Sequence, residues 1–155
     1  MTRIAQLTGA ALLAALVALA ALSAAACGGS DSSQSVVAPT GTVTTDTFNG
    51  TLNPPANNTF QANVHPFTIN TGGGSINITL VSAGPPSTIQ LGLGLGNPSA
   101  TGTCSIISGF TAQTAAGSTA QISAAGAPAG AYCVVVVDVG NVLQTVTYTV
   151  TVAHT

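Results

Sequence analysis

From Gln144 to Ala153 the chain alternates without a break. Val146, Tyr148, Val150 and Val152 fall on one side, Thr145, Thr147, Thr149 and Thr151 on the other. Only an extended strand separates odd from even positions in this way, because its successive side chains point to opposite faces. The pattern predicts a strand with one apolar face on a core and one hydroxyl face in water. The same short-period signature recurs upstream, and no helical periodicity appears beyond residue 26. An all-β fold follows: a single antiparallel β-sandwich, jelly-roll-like, of seven to eight strands.

In order from Thr42, runs rich in Thr, Val, Ile and Phe are broken by Gly, Pro and Asn, which are strand and turn signals. Thr42–Leu52 is a first strand region, with Asn49-Gly50 as a bulge or turn inside it. Thr59–Ile69 is a second, interrupted at Pro66 because proline lacks a ladder donor. Ser75–Val81 alternates Ile76, Ile78 and Leu80 with Asn77 and Thr79. In Thr88–Gly96 the residues Ile89, Leu91, Leu93 and Leu95 share one face and Gln90, Gly92 and Gly94 the other. Such a strand is expected to bend or to lie beneath a close neighbour. Its Gly92–Gly96 run is no phosphate loop, since the glycines sit in a period-two strand and Pro98 follows where a helix is needed. Thr103–Ser108 and Ser118–Ser123 read as weaker strands and Ala124–Gly130 as a long turn. Ala131–Val139 is apolar on both faces, which suits a central strand. Asp138-Val139-Gly140-Asn141 then reads as the turn of an antiparallel hairpin joining it to Gln144–Ala153.

The start of the chain follows a different plan. Arg3 precedes the apolar run Ala10–Leu22 and the small residues Ser23-Ala24-Ala25-Ala26, which are the parts of a secretory signal peptide. Cys27 comes next, and then the polar stretch Gly28-Gly29-Ser30-Asp31-Ser32-Ser33-Gln34-Ser35. Placed directly before a Cys and a Gly/Ser tether, these features resemble the signal of bacterial lipoproteins, although Ala24 stands where that family prefers Leu. The resemblance implies a helical signal peptide over 1–26, a lipidated Cys27 with a tether over 27–41, and a β-sandwich domain over 42–155. The implied location is extracytoplasmic, anchored to a bacterial membrane (outer membrane or cell surface in a diderm cell) by acyl chains on Cys27. Two such chains suffice for stable attachment. Two other readings stay open. Ala24-Ala25-Ala26 also fits ordinary signal cleavage, and Ile4–Ala26 approaches the length of an uncleaved anchor.

Removing 1–26 takes away Arg3, the one basic residue, and leaves Asp31, Asp46 and Asp138 for a formal charge of −3. Without Lys or Arg the mature chain cannot neutralise phosphates, so nucleic acid is excluded as a partner. Attraction to anionic lipid headgroups is excluded for the same reason. Solubility rests on Thr, Ser, Asn and Gln instead.

The domain resembles the bacterial pre-peptidase C-terminal domain family. Thr47-Phe48-Asn49-Gly50-Thr51-Leu52, Pro66-Phe67-Thr68-Ile69 and Gly74-Ser75-Ile76-Asn77-Ile78-Thr79-Leu80 follow its opening. Gly130-Ala131-Tyr132-Cys133-Val134-Val135-Val136 and Thr147-Tyr148-Thr149-Val150-Thr151-Val152 follow its close. The similarity spans Val43–Val152 and implies a small jelly-roll-type sandwich with an accessory or binding role rather than catalysis. The family often places Asp before and within the strand matching Thr88–Leu95, where this sequence has no acid, so a calcium site is left without those ligands.

Candidate chemistry is sparse. His65 and His154 are the only bases a hydrolase could use, His65 beside Pro66 in a loop or strand edge and His154 expected at an exposed, frayed end. Two lone histidines and two cysteines that pair make no zinc set, and Asp46 and Asp138 alone make no calcium cage. No catalytic residue, cofactor or metal ligand is assigned. The sequons at Asn49, Asn57 and Asn77 arise readily in an Asn/Thr-rich chain and are given no role.

Three cysteines in an exported protein leave one over. Acylation of Cys27 closes the count by leaving Cys104 and Cys133 to form a disulfide, with two buried free thiols as the alternative. Alternation puts Cys133 on the face of Val135 and Val137, opposite Tyr132, Val134 and Val136, so the bridge is expected on the side away from the main core. The functional reading is a non-catalytic, lipid-anchored envelope module with interaction or structural duties and an envelope protein as its partner. The alternative is a glycan-binding, lectin-like module. The absence of Trp, with Tyr132 and Tyr148 on apolar strand faces, speaks against it.

Overall fold

A computed structural model describes residues 41–155 apart from Asn58. The candidate signal peptide, Cys27 and nearly all of the tether lie outside the described residues. Eight strands follow one another: β1 (Thr44–Leu52), β2 (Ala62–Ile69), β3 (Gly74–Gly84), β4 (Gln90–Pro98), β5 (Cys104–Ala115), β6 (Ile122–Ala127), β7 (Gly130–Asp138) and β8 (Val146–His154). They form two four-stranded sheets, ordered β1-β8-β3-β6 and β2-β7-β4-β5. Every neighbouring pair is antiparallel. Of the consecutive strands only β4 and β5 are neighbours, and the other connections cross between sheets. This is the double Greek key of a jelly-roll sandwich, the predicted fold class.

The core is what the alternation predicts. Ile76, Ile78 and Leu80 of β3 and Val146, Tyr148, Val150 and Val152 of β8 meet Leu91, Leu93 and Leu95 of β4 and Val134 and Val136 of β7. All of these are buried, and each such aliphatic side chain contributes about 1.5–3 kcal/mol relative to exposure. The threonines of β8 face outward, and β7 is central, as its two apolar faces require.

Several local expectations change. β7 and β8 form no hairpin, because they belong to different sheets. Oδ1 of Asp138 accepts from the backbone N–H groups of Gly140, Asn141 and Val142 at 2.8, 3.1 and 3.2 Å. That cap makes a tight bend, and the buried Val142 carries the chain over the end of the core to the opposite sheet. Pro66 does not interrupt β2. The strand is a sheet edge paired only with β7, where a missing donor costs nothing in the ladder. Asn49-Gly50 makes no bulge, and β1 pairs with β8 in unbroken register. The region read as a weak strand at Thr103–Ser108 extends to Ala115, and half of the supposed turn at Ala124–Gly130 is strand β6. Small residues hid both elements, since Ala, Ser and Gly carry little periodic signal.

Candidate functional site

Three regions carry the chemistry available to the domain. The first is the disulfide Cys104–Cys133, with Cα atoms 6.0 Å apart. Cys104 opens β5 opposite Pro98, and Cys133 lies on β7 opposite Gly96. The bridge therefore joins the two strands that flank β4 and passes over the end of that strand. Gly96 makes the passage possible: a Cβ there would overlap the Ser105 carbonyl and sit 2.9 Å from Cys104 Sγ. A register shift brings β5 across, since Gly94 pairs with Thr111 but Gly96 with Ile106, so that residues 107–110 stand against Leu95 alone. The bridge lies on the side of Val135 and Val137, while Tyr132, Val134 and Val136 enter the core. This is the face predicted for it.

The second region is the pair of outer sheet faces. On the β1-β8-β3-β6 sheet, Thr47, Thr151 and Thr79 stand in one cross-strand row, and Asn49, Thr149 and Ser82 in the next. Thr149 Oγ1 donates to Asn49 Oδ1 at 2.8 Å, and Ser123 Oγ to Asn77 Oδ1 at 2.8 Å. The other outer face has Ala62, Val64 and Pro66 on β2, Val135 and Val137 on β7, and Gly92, Gly94 and Gly96 on β4. The glycines lie beneath neighbours, as anticipated. A Cβ on Gly92 would meet Val137 Cγ1 at 2.5 Å, and one on Gly94 would meet Ile106 Cδ1 at 2.8 Å.

The third region is the seam where β1, an edge of one sheet, meets β2, an edge of the other. It gathers both histidines. His65 reaches from β2 into the opposite sheet, its ring stacked on Phe48 at 5.0 Å between centroids. Its Nε2 lies 2.8 Å from the Tyr148 hydroxyl. Gly50 leaves the space through which the Tyr148 ring passes, since a Cβ there would overlap it. Burial holds the His65 imidazole below its ordinary pKa and pushes the Tyr148 phenol up, with a hydrogen bond from the Asn63 side chain opposing the latter. The Asn63 amide also donates to the Thr51 carbonyl at 3.0 Å.

His154 is not frayed or exposed: it is 6% accessible. The Thr155 N–H donates to the Ser75 carbonyl and the Ser75 N–H to Thr155 Oγ1, so β8 is held to its end between β1 and β3. The His154 ring packs on Phe67 at 5.6 Å, and its Nε2 is 3.1 Å from Asp46 Oδ2. Only its place near the end of the chain suggested exposure, and the alternation already put it on the inward face of β8 with Val152.

The structure does not bring the remaining acids together. Asp46 is on β1, whereas Asp138 is on β7 in the other sheet, 2% accessible, with Oδ2 unpartnered. Among the described residues no three His, Cys, Asp or Glu side chains converge. Two hollows are lined mainly by glycine and by side chains bearing hydroxyl, amide or imidazole groups. One of about 280 Å³ lies beside Thr42, Asn70, Gly73 and His154. Another of about 400 Å³ lies on the hydroxyl face between Asn49, Thr51, Ser82 and Thr147. Neither is lined by the apolar and aromatic side chains of a typical small-molecule site.

No protein-family model and no curated protein matches the sequence. One solved structure, from work on Bacillus endospore appendages described as a novel family of disulfide-linked pili, is similar over 73% of this chain and 88% of its own. The identity is 16% and the TM-score 0.34, a level of likeness that carries no argument about function.

Proposed function

We propose that the protein is a non-catalytic module of the bacterial envelope, anchored by acyl chains on Cys27 and presenting its β-sandwich for interaction or structural duty. The observation that carries this reading is the closed Cys104–Cys133 bridge. Disulfides form and persist in oxidising, extracytoplasmic compartments. The bridge accounts for two of the three cysteines and leaves Cys27, directly after a signal-like segment, as the one open to acylation. A surface with almost no charge, one face of it finished with hydroxyls and amides, suits a protein held at a membrane, where tethering limits the association that low net charge promotes. The pre-peptidase C-terminal resemblance supports an accessory role, and the same physical picture serves either an envelope-protein partner or a glycan. Against the glycan, Tyr132 and Tyr148 are both buried, and the exposed aromatic ring is Phe60, at 53%.

Detergent phase partitioning tests the anchor. The wild-type protein should enter the detergent phase, and Cys27→Ala should stay aqueous or keep residues 1–26. Aqueous partitioning of both would leave ordinary secretion as the better account, and detergent partitioning of a wild-type protein that keeps residues 1–26 would leave the uncleaved anchor. Saturable binding on a glycan array, lost on Phe60→Ala, would favour the lectin-like alternative.

A further inference from the structure

The protein carries almost no charge, with one basic residue and three acidic ones in the whole chain, yet its two histidines stand at one seam. We propose that the β1–β2 seam is a proton-operated latch, with His65 as its sensor and the release of β1 from β2 as its response.

The hydrogen-bond directions make the case. The Asn63 amide donates to the Thr51 carbonyl at 3.0 Å, and the Tyr148 hydroxyl has His65 Nε2 as its hydrogen-bond acceptor, 2.8 Å away. Being buried, the Tyr148 hydroxyl donates to Nε2 of a neutral His65 carrying its proton on Nδ1. A proton on Nε2 reverses that bond, so that the Tyr148 oxygen must accept and the hydroxyl proton is left without an acceptor. Tyr148 is buried, so water does not readily take up that proton.

No anion compensates the new charge. From β1, Phe48 stacks on His65, and Asp46 is engaged by His154. From β8 the ionisable groups are Tyr148 and His154. On β7, the neighbour of β2, the register partner of His65 is Val134, and Tyr132 packs on Phe67. Asp138 is four residues further along β7 with Oδ1 committed to its own loop. The face of Phe48 offers a cation some attraction. Burial outweighs it, and the net displacement favours the neutral ring.

The bonds that join the two edge strands at this seam converge on the same residues. Asn63 ties β2 to Thr51 of β1, and His65 ties it to β8 beneath β1. Weakening the His65–Tyr148 bond beneath β1 and beside the Phe48 ring therefore loosens β1, the outermost strand of its sheet, before the sandwich as a whole.

Amide hydrogen exchange of the full chain at about pH 7.5 and about pH 5, corrected for intrinsic rates, tests the latch. With an open-state imidazole of ordinary pKa, the opening of β1 can rise by at most about thirty-fold across that interval. The expected result is a loss of protection of about threefold or more in Thr44–Leu52, with β3 and β7 unchanged. His65→Phe keeps the stacking and cannot take a proton, so it should abolish the loss, whereas Asp46→Asn should retain it. A smaller loss, an equal loss in all strands, persistence in His65→Phe or disappearance in Asp46→Asn would each overturn the proposal.

Discussion

The two outer faces of the sandwich solve the same problem in opposite ways. The β1-β8-β3-β6 face is finished with threonine, serine and asparagine, which pair across strands and meet water directly. The β2-β7-β4-β5 face is apolar over β2 and β7 and carries the hydrogen-bonded pair Gln90–Gln113 where β4 meets β5. It removes the side chains of its central strand and lets Val137 and Ile106 from the flanking strands lie over Gly92 and Gly94. The disulfide then fixes the flanking strands across Gly96. One face depends on no single residue, while the other depends on a few close approaches. The contrast teaches where the molecule should be fragile.

The largest effect should come from the bridge. Its 29-residue separation corresponds to about 3.5 kcal/mol in the chain-entropy account. The double variant Cys104→Ser/Cys133→Ser should lose about that much in denaturant unfolding, a large part of the roughly 5–15 kcal/mol that holds a domain. Loss of less than about 1 kcal/mol would show that β5 is held by packing alone.

Gly96→Ala should come next, at about 1–3 kcal/mol, because the added methyl meets a backbone carbonyl and a bridged sulfur that cannot rotate away. Gly92→Ala should cost less, since the Val137 methyl it meets belongs to a side chain that can adjust. Equal costs at the two positions would erase the distinction between a fixed crossing and an adaptable cover.

How much of this was readable follows the same division. The strand with the strictest alternation, β8, declared its core and hydroxyl faces, and the glycines of β4 declared a close neighbour. Parity and alternation together located the bridge and its face. The β7–β8 connection was misread as a hairpin because turn residues specify a bend and not the sheet to which the chain returns. That choice is made by the burial of Val142 and the cap on Asp138. The seam was unreadable. His65 and Tyr148 are 83 positions apart and His154 and Asp46 are 108, so only the crossover topology brings them together.

The seam supplies a third perturbation. The folded state favours the neutral His65 ring, so the unfolded chain binds more protons below about pH 6.5. The stability that His65 confers is complete above that pH and falls as the solution is acidified. Thermal melts of wild type and His65→Phe at about pH 7.5 and about pH 5 should show the larger acid loss in wild type. Matching losses would place the acid sensitivity elsewhere.

The smallest effects belong to the hydroxyl face. Thr151→Val should change stability by no more than about 0.5 kcal/mol, and its consequence should appear instead as lower solubility. A cost above about 1 kcal/mol would mean that this face contributes to the fold as specifically as the other.

The proposal of an anchored, extracytoplasmic domain depends on the state of three sulfurs. Intact-mass analysis of the protein isolated from cells, alkylated while unfolded and unreduced, tests all of them at once. The account predicts a chain beginning at Cys27, carrying a diacylglyceryl mass and no alkyl group. One alkyl group on an unlipidated Cys27 would contradict the anchor, and two on Cys104 and Cys133 would contradict the bridge from which it was inferred.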